Sequence, residues 1–302
     1  MYDLIIVGGG PAGLTAALYA RRAEKTVLVL EKETFGGQIT YSPKVENIPG
    51  FASLSGNEFA EKLVDQVMGQ GADVDSCTVT GIRNGEIKTV LTDCGEFDAK
   101  AVILATGAKH RLPGVPGEEA YLGNGISFCA VCDGAFYKDR TVAVIGGGNS
   151  ALQEALLLSD LAKKVYVVQN LSDLTGEAKL AAQVRAKENI TVICDTVADA
   201  FYGTDSLSGI RLKHIDGTQT DLDVDGVFVA IGLLPQNEPF ADLITLNDYG
   251  YAASDESCTT KTPGIFVAGD CRSKQIRQVA TAAADGAIAA LAACEYLKQI
   301  EN

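Results

Sequence analysis

The 302-residue chain has no tryptophan and only two histidines, His110 and His214. Two histidines exclude chemistry built on imidazole clusters, including most zinc-hydrolase sites. Basic residues are also short: 25 Lys and Arg stand against 39 Asp and Glu, a net charge of −14. That balance argues against nucleic acid and anionic membranes as partners, because both select basic surfaces. No basic segment or small-residue cleavage site accompanies Leu4-Ile5-Ile6-Val7, and no run of 18 apolar residues occurs. The Ala-rich stretch 279–294 carries Asp285 and reads as a buried helix. The expectation is a cytoplasmic protein with reduced thiols. Its eight cysteines then read as small buried hydrophobes, except where spacing says otherwise.

Glycine is abundant, at 32 residues, and part of it falls in an internal repeat. The segments LIIVGGGPAGLTAALYARRAEKTVLVLEK (4–32) and VAVIGGGNSALQEALLLSDLAKKVYVVQN (142–170) align without a gap at an offset of 138. Each copy opens with a β-branched strand (5–7, 143–145) and a glycine loop. A helix follows, with Leu14, Ala17 and Leu18 in one copy and Leu152, Ala155 and Leu156 in the other. A second apolar strand closes each unit (27–30, 165–168).

This is a βαβ unit with G-x-G-x-x-G at Gly8, Gly10 and Gly13, then G-x-G-x-x-A at Gly146, Gly148 and Ala151. Strand before and helix after meet the context that such a loop needs to bind a dinucleotide. The glycines let backbone amides approach a pyrophosphate, and the helix N-terminus favours its charge. Glu31 ends the second strand of the first copy, placed to accept a ribose 2′-OH. The second copy has Gln169 there, followed by Asn170 and Leu171. Two such loops suggest one tightly held flavin and one exchanging nicotinamide.

Further strands are expected at 101–108, at its counterpart 227–232, and at 264–270, which ends in Asp270 ahead of Arg277-Gln278-Val279. The predicted fold is α/β, with two Rossmann-like dinucleotide-binding domains, the smaller inserted into the larger. Residues 1–113 begin the larger domain, 114–242 form the insertion, and 243–302 complete the larger.

Cys129-Ala130-Val131-Cys132-Asp133 holds the single C-x-x-C. At a helix start, such a pair has its thiol pKa lowered from about 8.5 towards 7. Half a zinc site is the competing reading, but no second pair lies within reach in sequence. Cys77, Cys94, Cys194, Cys258, Cys271 and Cys294 are scattered and read as packing residues, with Cys271 notable beside the Gly269-Asp270 turn. Thiol–disulfide exchange needs a proton donor for the leaving thiolate. Neither histidine is near the pair in sequence, and His110 reads as structural. Asp133 is the better acid if burial raises its pKa; its other reading is a cap on the following segment.

Eight segments together resemble the low-molecular-weight bacterial thioredoxin reductases over nearly the whole chain. They are VGGGPAGLTAALYA (7–20), FGGQI (35–39), VENIPGF (45–51), ILATGA (103–108), CAVCDGAFY (129–137), VIGGGNSA (144–151), GIFVAGD (264–270) and RQV (277–279). The resemblance implies that the larger domain holds FAD through Gly8, Gly10, Pro11, Ala12 and Gly13, with Glu31, Gly36, Gly37, Gln38 and Asn47. Thr106, Gly107, Gly269, Asp270, Arg277, Gln278 and Val279 complete that set. It implies NAD(P)H at Gly146, Gly148, Asn149, Ser150 and Ala151. It also implies a redox-active Cys129–Cys132 disulfide with Asp133 as acid, and no metal. The implied partner is thioredoxin or a thioredoxin-like protein, the implied assembly a homodimer, and one domain is implied to rotate against the other between half-reactions.

Members that use NADPH carry a His-Arg-Arg…Arg cluster that clamps the 2′-phosphate. Here those positions read Gln169, Asn170, Leu171 and Thr175. NADH, or an unusual use of NADPH, is therefore expected. Two alternatives stay open: ferredoxin as the electron source, although the Gly146–Ala151 loop is intact, and a dithiol oxidase that passes electrons to oxygen.

Overall fold

The structure, a computed structural model, describes every residue except Pro43 and Asn302. The chain folds as two units. The first comprises residues 1–42, 48–109 and 234 to the C-terminus, and the second comprises 44–47 and 110–233.

In the first unit the apolar run at the N-terminus becomes the central strand Tyr2–Val7. It pairs in parallel with Val27–Glu31 on one side and Gly95–Leu104 on the other, so that Val7 lies between Leu30 and Leu104. Asp73–Ser76 extends the sheet beyond Val27–Glu31. The first half of Gly95–Leu104 pairs antiparallel with Lys88–Thr92, which hairpins onto Val79–Arg83. Its second half also takes Ile265–Val267 in parallel.

Both faces of this sheet are covered, which is why its strands read as unbroken apolar runs. Leu4, Ile6, Val29 and Ile103 pack with Leu14 and Ala17 of the helix Pro11–Arg22 and with Ala289, Ala293 and Leu297 of the last helix. Ile5, Leu28, Leu30, Val102 and Leu104 face Phe240 and Ile244. Burying each such Leu or Ile contributes about 1.5–3 kcal/mol.

The last helix, Val279–Glu301, has the length and apolar composition of a membrane span, yet its buried side chains belong to this core. A Cβ on Gly286 would overlap the carbonyl oxygen of Ala12, so glycine there sets the close approach of the two helices. The stretch 279–294 is a buried helix, as its alanine-rich pattern predicted, and Asp285 within it is buried too.

The second unit repeats the plan. Its parallel sheet runs Ile190–Ile193, Lys164–Val168, Thr141–Ile145, Gly226–Val229, Ile126–Ser127. Ile145 lies between Val168 and Val229, as Val7 lies between its neighbours, so the sequence repeat is a structural one. The helices Asn149–Ser159 and Ala178–Ala186 cover one face, contributing Leu152, Ala155, Leu158 and Val184. A three-stranded antiparallel sheet, Thr196–Gly203, Leu207–His214 and Gln219–Asp223, covers the other through Ala198, Phe201, Ile210 and Leu212.

The change-overs fall at 109/110 and 233/234 rather than at the expected 113/114 and 242/243. Phe240 is buried in the core of the first unit, and the fully buried Asn237 bonds within that unit to the carbonyls of Gly250 and Cys271. Those two side chains place the segment 234–242 in the first unit.

Candidate active site

In the second unit, Cys129 is extended (φ −151°, ψ 102°) and the single helical turn Ala130–Asp133 follows it. The turn brings Cys132 to 5.3 Å from Cys129, Cα to Cα, and the two are disulfide-bonded. The Cys132 amide donates to Cys129 Sγ at 3.2 Å, an arrangement that favours negative charge on that sulfur. The Cys129 amide donates to Ser127 Oγ at 3.2 Å, and the Ser127 hydroxyl donates to Asp133 Oδ2 at 2.6 Å. Asp133 makes no capping bond to the turn Gly134–Tyr137 that follows. Its Oδ1 is buried and has no partner among the described residues. Burial raises the Asp133 pKa, and the bond from Ser127 offsets this only in part. The carboxyl therefore keeps a proton to higher pH than an ordinary aspartate.

A second carboxyl, not expected from the sequence, stands under the pair. Glu154, on the helix Asn149–Ser159, accepts the amide of Ala130, while its Oε2 is buried without a partner. Burial pushes its pKa up to about 8. The signal was present: Glu154 shares a helical face with Ala151, Ala155 and Leu158, all buried, where an acid is out of place. Neither histidine competes for the proton. His110 stacks on Phe128 at 4.2 Å, and burial lowers its pKa to about 4, so it is neutral. His214 sits between the hydroxyls of Thr196 and Thr220. Asn47, expected with the flavin set, groups with this unit, and its amide points at Cys132 Sγ from 3.9 Å.

In the first unit, the loop at Gly8–Gly13 is built for close backbone packing. Gly8 has φ +111°, and a Cβ there would overlap Ala105 O; a Cβ on Gly13 would overlap Gly8 O. The helix Pro11–Arg22 starts at Gly10 with Pro11 in its first turn and no side-chain cap. Its first amides are thus free for an anion. The Gly9 amide donates to Glu31 Oε2 at 2.7 Å and the Glu33 amide to Oε1 at 2.9 Å, which fixes the carboxylate with lone pairs to spare for ribose hydroxyls. Gly36, at φ +107°, donates to Gly9 O, and Gly37 opens the turn that carries the exposed Gln38.

Across the same unit, Gly269-Asp270 is held by a buried ion cluster. Arg272 grips Asp285 with two bonds of 2.8 and 2.9 Å, Lys274 adds a third at 2.9 Å, and the Gly269 amide donates to Asp285 Oδ2. Burial alone would raise Asp285, but these bonds outweigh it and hold it below the usual carboxylate range. Asp270 Oδ1 is buried and takes no hydrogen bond among the described residues, with Lys274 Nζ 3.9 Å away. Burial raises Asp270, and Lys274 and Arg277 offset part of that.

Arg277 lies over the Tyr251 ring at 4.2 Å and reaches Asp270 O, while the Gln278 amide caps onto Thr281 just before Val279 starts the last helix. Thr106 donates to Asn237 Oδ1 at 3.1 Å, and Asn237 donates to Cys271 O at 2.7 Å, which ties the Thr106-Gly107 turn to the Asp270 turn. Asn237 and Asp285 act in this cradle, and no local pattern marks either. An orphaned buried acceptor, free helix amides and glycines that a Cβ would fill together fit a dinucleotide carrying a pyrophosphate and a polyhydroxyl chain.

The second glycine loop has the same frame with different chemistry. Gly146 has φ +131°, and a Cβ there would meet Ala230 O at 2.5 Å. The helix Asn149–Ser159 is again uncapped by a side chain. The amides of Thr175 and Gly176 donate to Gly147 O, as that of Gly36 does to Gly9 O. Gln169 is only 4% exposed and is consumed locally: its Nε2 donates to Asp173 O, and its Oε1 accepts the Asn170 amide. Asp173, lowered by the Leu174 amide and then by Arg185, is ionised and paired with Arg185. Asn149 is engaged by Glu177, while Ser150 and Ala151 complete the first turn.

The expectation of six unpaired cysteines fails at two of them. Cys77 and Cys94 are disulfide-bonded in the first unit, their Cα atoms 6.0 Å apart. Cys194, Cys258, Cys271 and Cys294 are free, and the last three are buried.

Residues 2–286 match the family described as pyridine nucleotide-disulphide oxidoreductase. A thioredoxin reductase of Listeria monocytogenes is 39% identical over 305 residues, covering 100% of this chain and 96% of that protein. One from Treponema pallidum is 40% identical over 304 residues, covering 100% and 99%. Among solved structures, thioredoxin reductase from Streptococcus pyogenes superposes with a TM-score of 0.94 at 40% identity, covering 99% of each chain.

Proposed function

Because the chain belongs to the pyridine nucleotide-disulphide oxidoreductase family, within its thioredoxin reductase group, we propose that it carries electrons from a reduced nicotinamide nucleotide to the disulfide of a thioredoxin-like protein. The first unit is then the FAD domain, and the second is the nicotinamide-type domain that carries the C-x-x-C. The observation that carries this reading is the Cys129–Cys132 disulfide beside a buried, proton-holding Asp133. By the same resemblance it works in the cytoplasm as a homodimer.

FAD, when bound, supplies the two-electron couple between the nicotinamide and the cysteine pair. The residues that would hold it are the Gly8–Gly13 loop, Glu31 and Asp270, with Arg277 and Gln278 beside them. Once the pair is reduced, one thiolate attacks the substrate disulfide and forms a mixed disulfide. The other thiolate then displaces the substrate, which leaves as a dithiol while Cys129–Cys132 re-forms. Each departing sulfur needs a proton, and Asp133 holds one within the same unit. The Cys132 amide steadies charge on Cys129 in between.

The donor we infer is NADH. Gln169 turns inward, and no arginine stands at 169–171 or 175. The nearby Asp173 is ionised and already occupies Arg185. A 2′-phosphate would meet negative charge with no free guanidinium. The missing arginines also support a ferredoxin-fed reading. Anaerobic mixing of the flavin-loaded protein with NADH, NADPH and reduced ferredoxin separates the two. Rapid flavin bleaching by NADH is the expected result; bleaching by ferredoxin alone overturns it.

A further inference from the structure

We propose that Cys77 and Cys94 form a second, exchangeable disulfide, reduced by the same dithiol protein that the enzyme generates; the identity of that reductant rests on the function proposed above. The pair lies in the first unit, at the base of the hairpin formed by Val79–Arg83 and Lys88–Thr92. Val79 stands opposite Thr92. One step outward, Thr78 and Asp93 bond to each other: the Asp93 amide donates to Thr78 O at 3.1 Å, and the Thr78 amide to Asp93 Oδ1 at 2.8 Å. One step further, the register sets Cys77 directly across from Cys94, and a Cα separation of 6.0 Å is the span that a disulfide takes. Strand pairing therefore presents these two sulfurs to each other, although 17 positions separate them in the chain.

The two ends of the bond differ in access. Cys77 is 3% exposed and packs with the core that holds Val90, whereas Cys94 is exposed. The Thr92 hydroxyl donates to Cys94 Sγ at 3.5 Å. An incoming thiolate therefore reaches Cys94, the Cys77–Cys94 bond breaks, and Cys77 leaves as a thiolate that takes a proton. The second thiolate of the incoming protein then attacks the mixed disulfide, and Cys94 leaves and is protonated. The dithiol protein is oxidised to its disulfide, Cys77 and Cys94 are reduced to two thiols, and the two protons pass from one pair to the other. The reverse exchange with the oxidised protein closes the clamp again.

The surroundings set the pace. A carboxylate oxygen of Asp75 lies within 4.8 Å of both sulfurs. The bonds from Thr78 hold Asp93, next to Cys94, below its usual pKa and hence ionised. The ionised Asp93 next to Cys94 slows the departure of a thiolate from this pair. The sulfur of Cys129, by contrast, receives an amide hydrogen. The working pair should open first and the hairpin clamp later.

The test uses the oxidised holoenzyme and a chemically pre-reduced thioredoxin, with exchange stopped by acid, thiols alkylated after unfolding so that the buried Cys77 is reached, and each cysteine read by peptide mass. Cys77 and Cys94 should resist labelling at the start. They should then label together, about tenfold or more slower than Cys129 and Cys132. Labelling without any reductant overturns the proposal, as does protection that persists in excess reduced thioredoxin. Protection released by a chelator instead of a dithiol also overturns it, because it would mark a metal held with Asp75. Cys94→Ser should leave turnover unchanged and Cys77 labelled from the outset. Because reduced thioredoxin is supplied directly, failure of the enzyme to make it would show in turnover and not in this labelling.

Discussion

The two units share a βαβ frame to the residue, yet one is arranged to hold and the other to react. In the first, Glu31 is presented by two backbone amides, and Asp270 is left with an open acceptor above a locked Arg272–Asp285–Lys274 cluster. In the second, the residue in place of Glu31 is buried and spent on its own loop. Its unsatisfied carboxyls, Asp133 and Glu154, lie instead at the cysteine turn. The frame thus supplies phosphate geometry twice, and the side chains around it decide whether a group is kept or chemistry is done.

The comparison breaks most clearly at the cysteines. Cys129→Ser or Cys132→Ser should lower reduction of a protein disulfide by about 10³-fold or more while leaving bound flavin per chain unchanged; loss of flavin would show that the two roles are not separate.

Next in size is Asp133→Asn, which should cost about 10²-fold in turnover. With Asp133 as the acid and its pKa raised by burial, wild-type turnover falls as pH climbs through that raised pKa and the proton is lost. The variant's pH profile should lack that limb.

A smaller effect is expected at the nucleotide end of the second unit. Asn170→Arg with Leu171→Arg should shift the NADPH to NADH preference about tenfold or more towards NADPH, read as a ratio of kcat/KM. An unchanged ratio would remove Gln169–Leu171 from donor selection.

The smallest effect concerns stability. Glu154 titrates near 8 when folded and near 4.5 when unfolded, so between those values the folded state keeps a proton that the unfolded state has released. Stability from this group therefore falls as pH rises through that window. Glu154→Gln should match wild type near pH 4.5 and melt higher at pH 8 and above, by about 2–4 °C for each kcal/mol regained.

The legible parts were those written locally. The 138-residue offset placed both loops, both second strands and the position of Glu31 against Gln169 before any coordinate was needed, because glycine spacing and strand periodicity are short-range. Asn237, Asp285 and Glu154 were missed because each acts on a partner brought near by folding. Asn237 serves Thr106, 131 positions away, and Glu154 serves Ala130 across a helix packing. The domain limits moved for a similar reason, since Phe240 is claimed by a core and not by the prolines near it.

By itself, the sequence determined the chemistry on offer: two phosphate loops, one close cysteine pair, almost no histidine and no arginine clamp. Those follow from residue identity at fixed spacing, which folding cannot alter. Tertiary structure alone decided which groups keep their protons, because burial and not identity moves Asp133, Glu154 and His110. It also decided which distant residues meet. Cys77 and Cys94 became a pair only through the register of a hairpin, because strand pairing converts a separation of 17 residues into one of 6.0 Å.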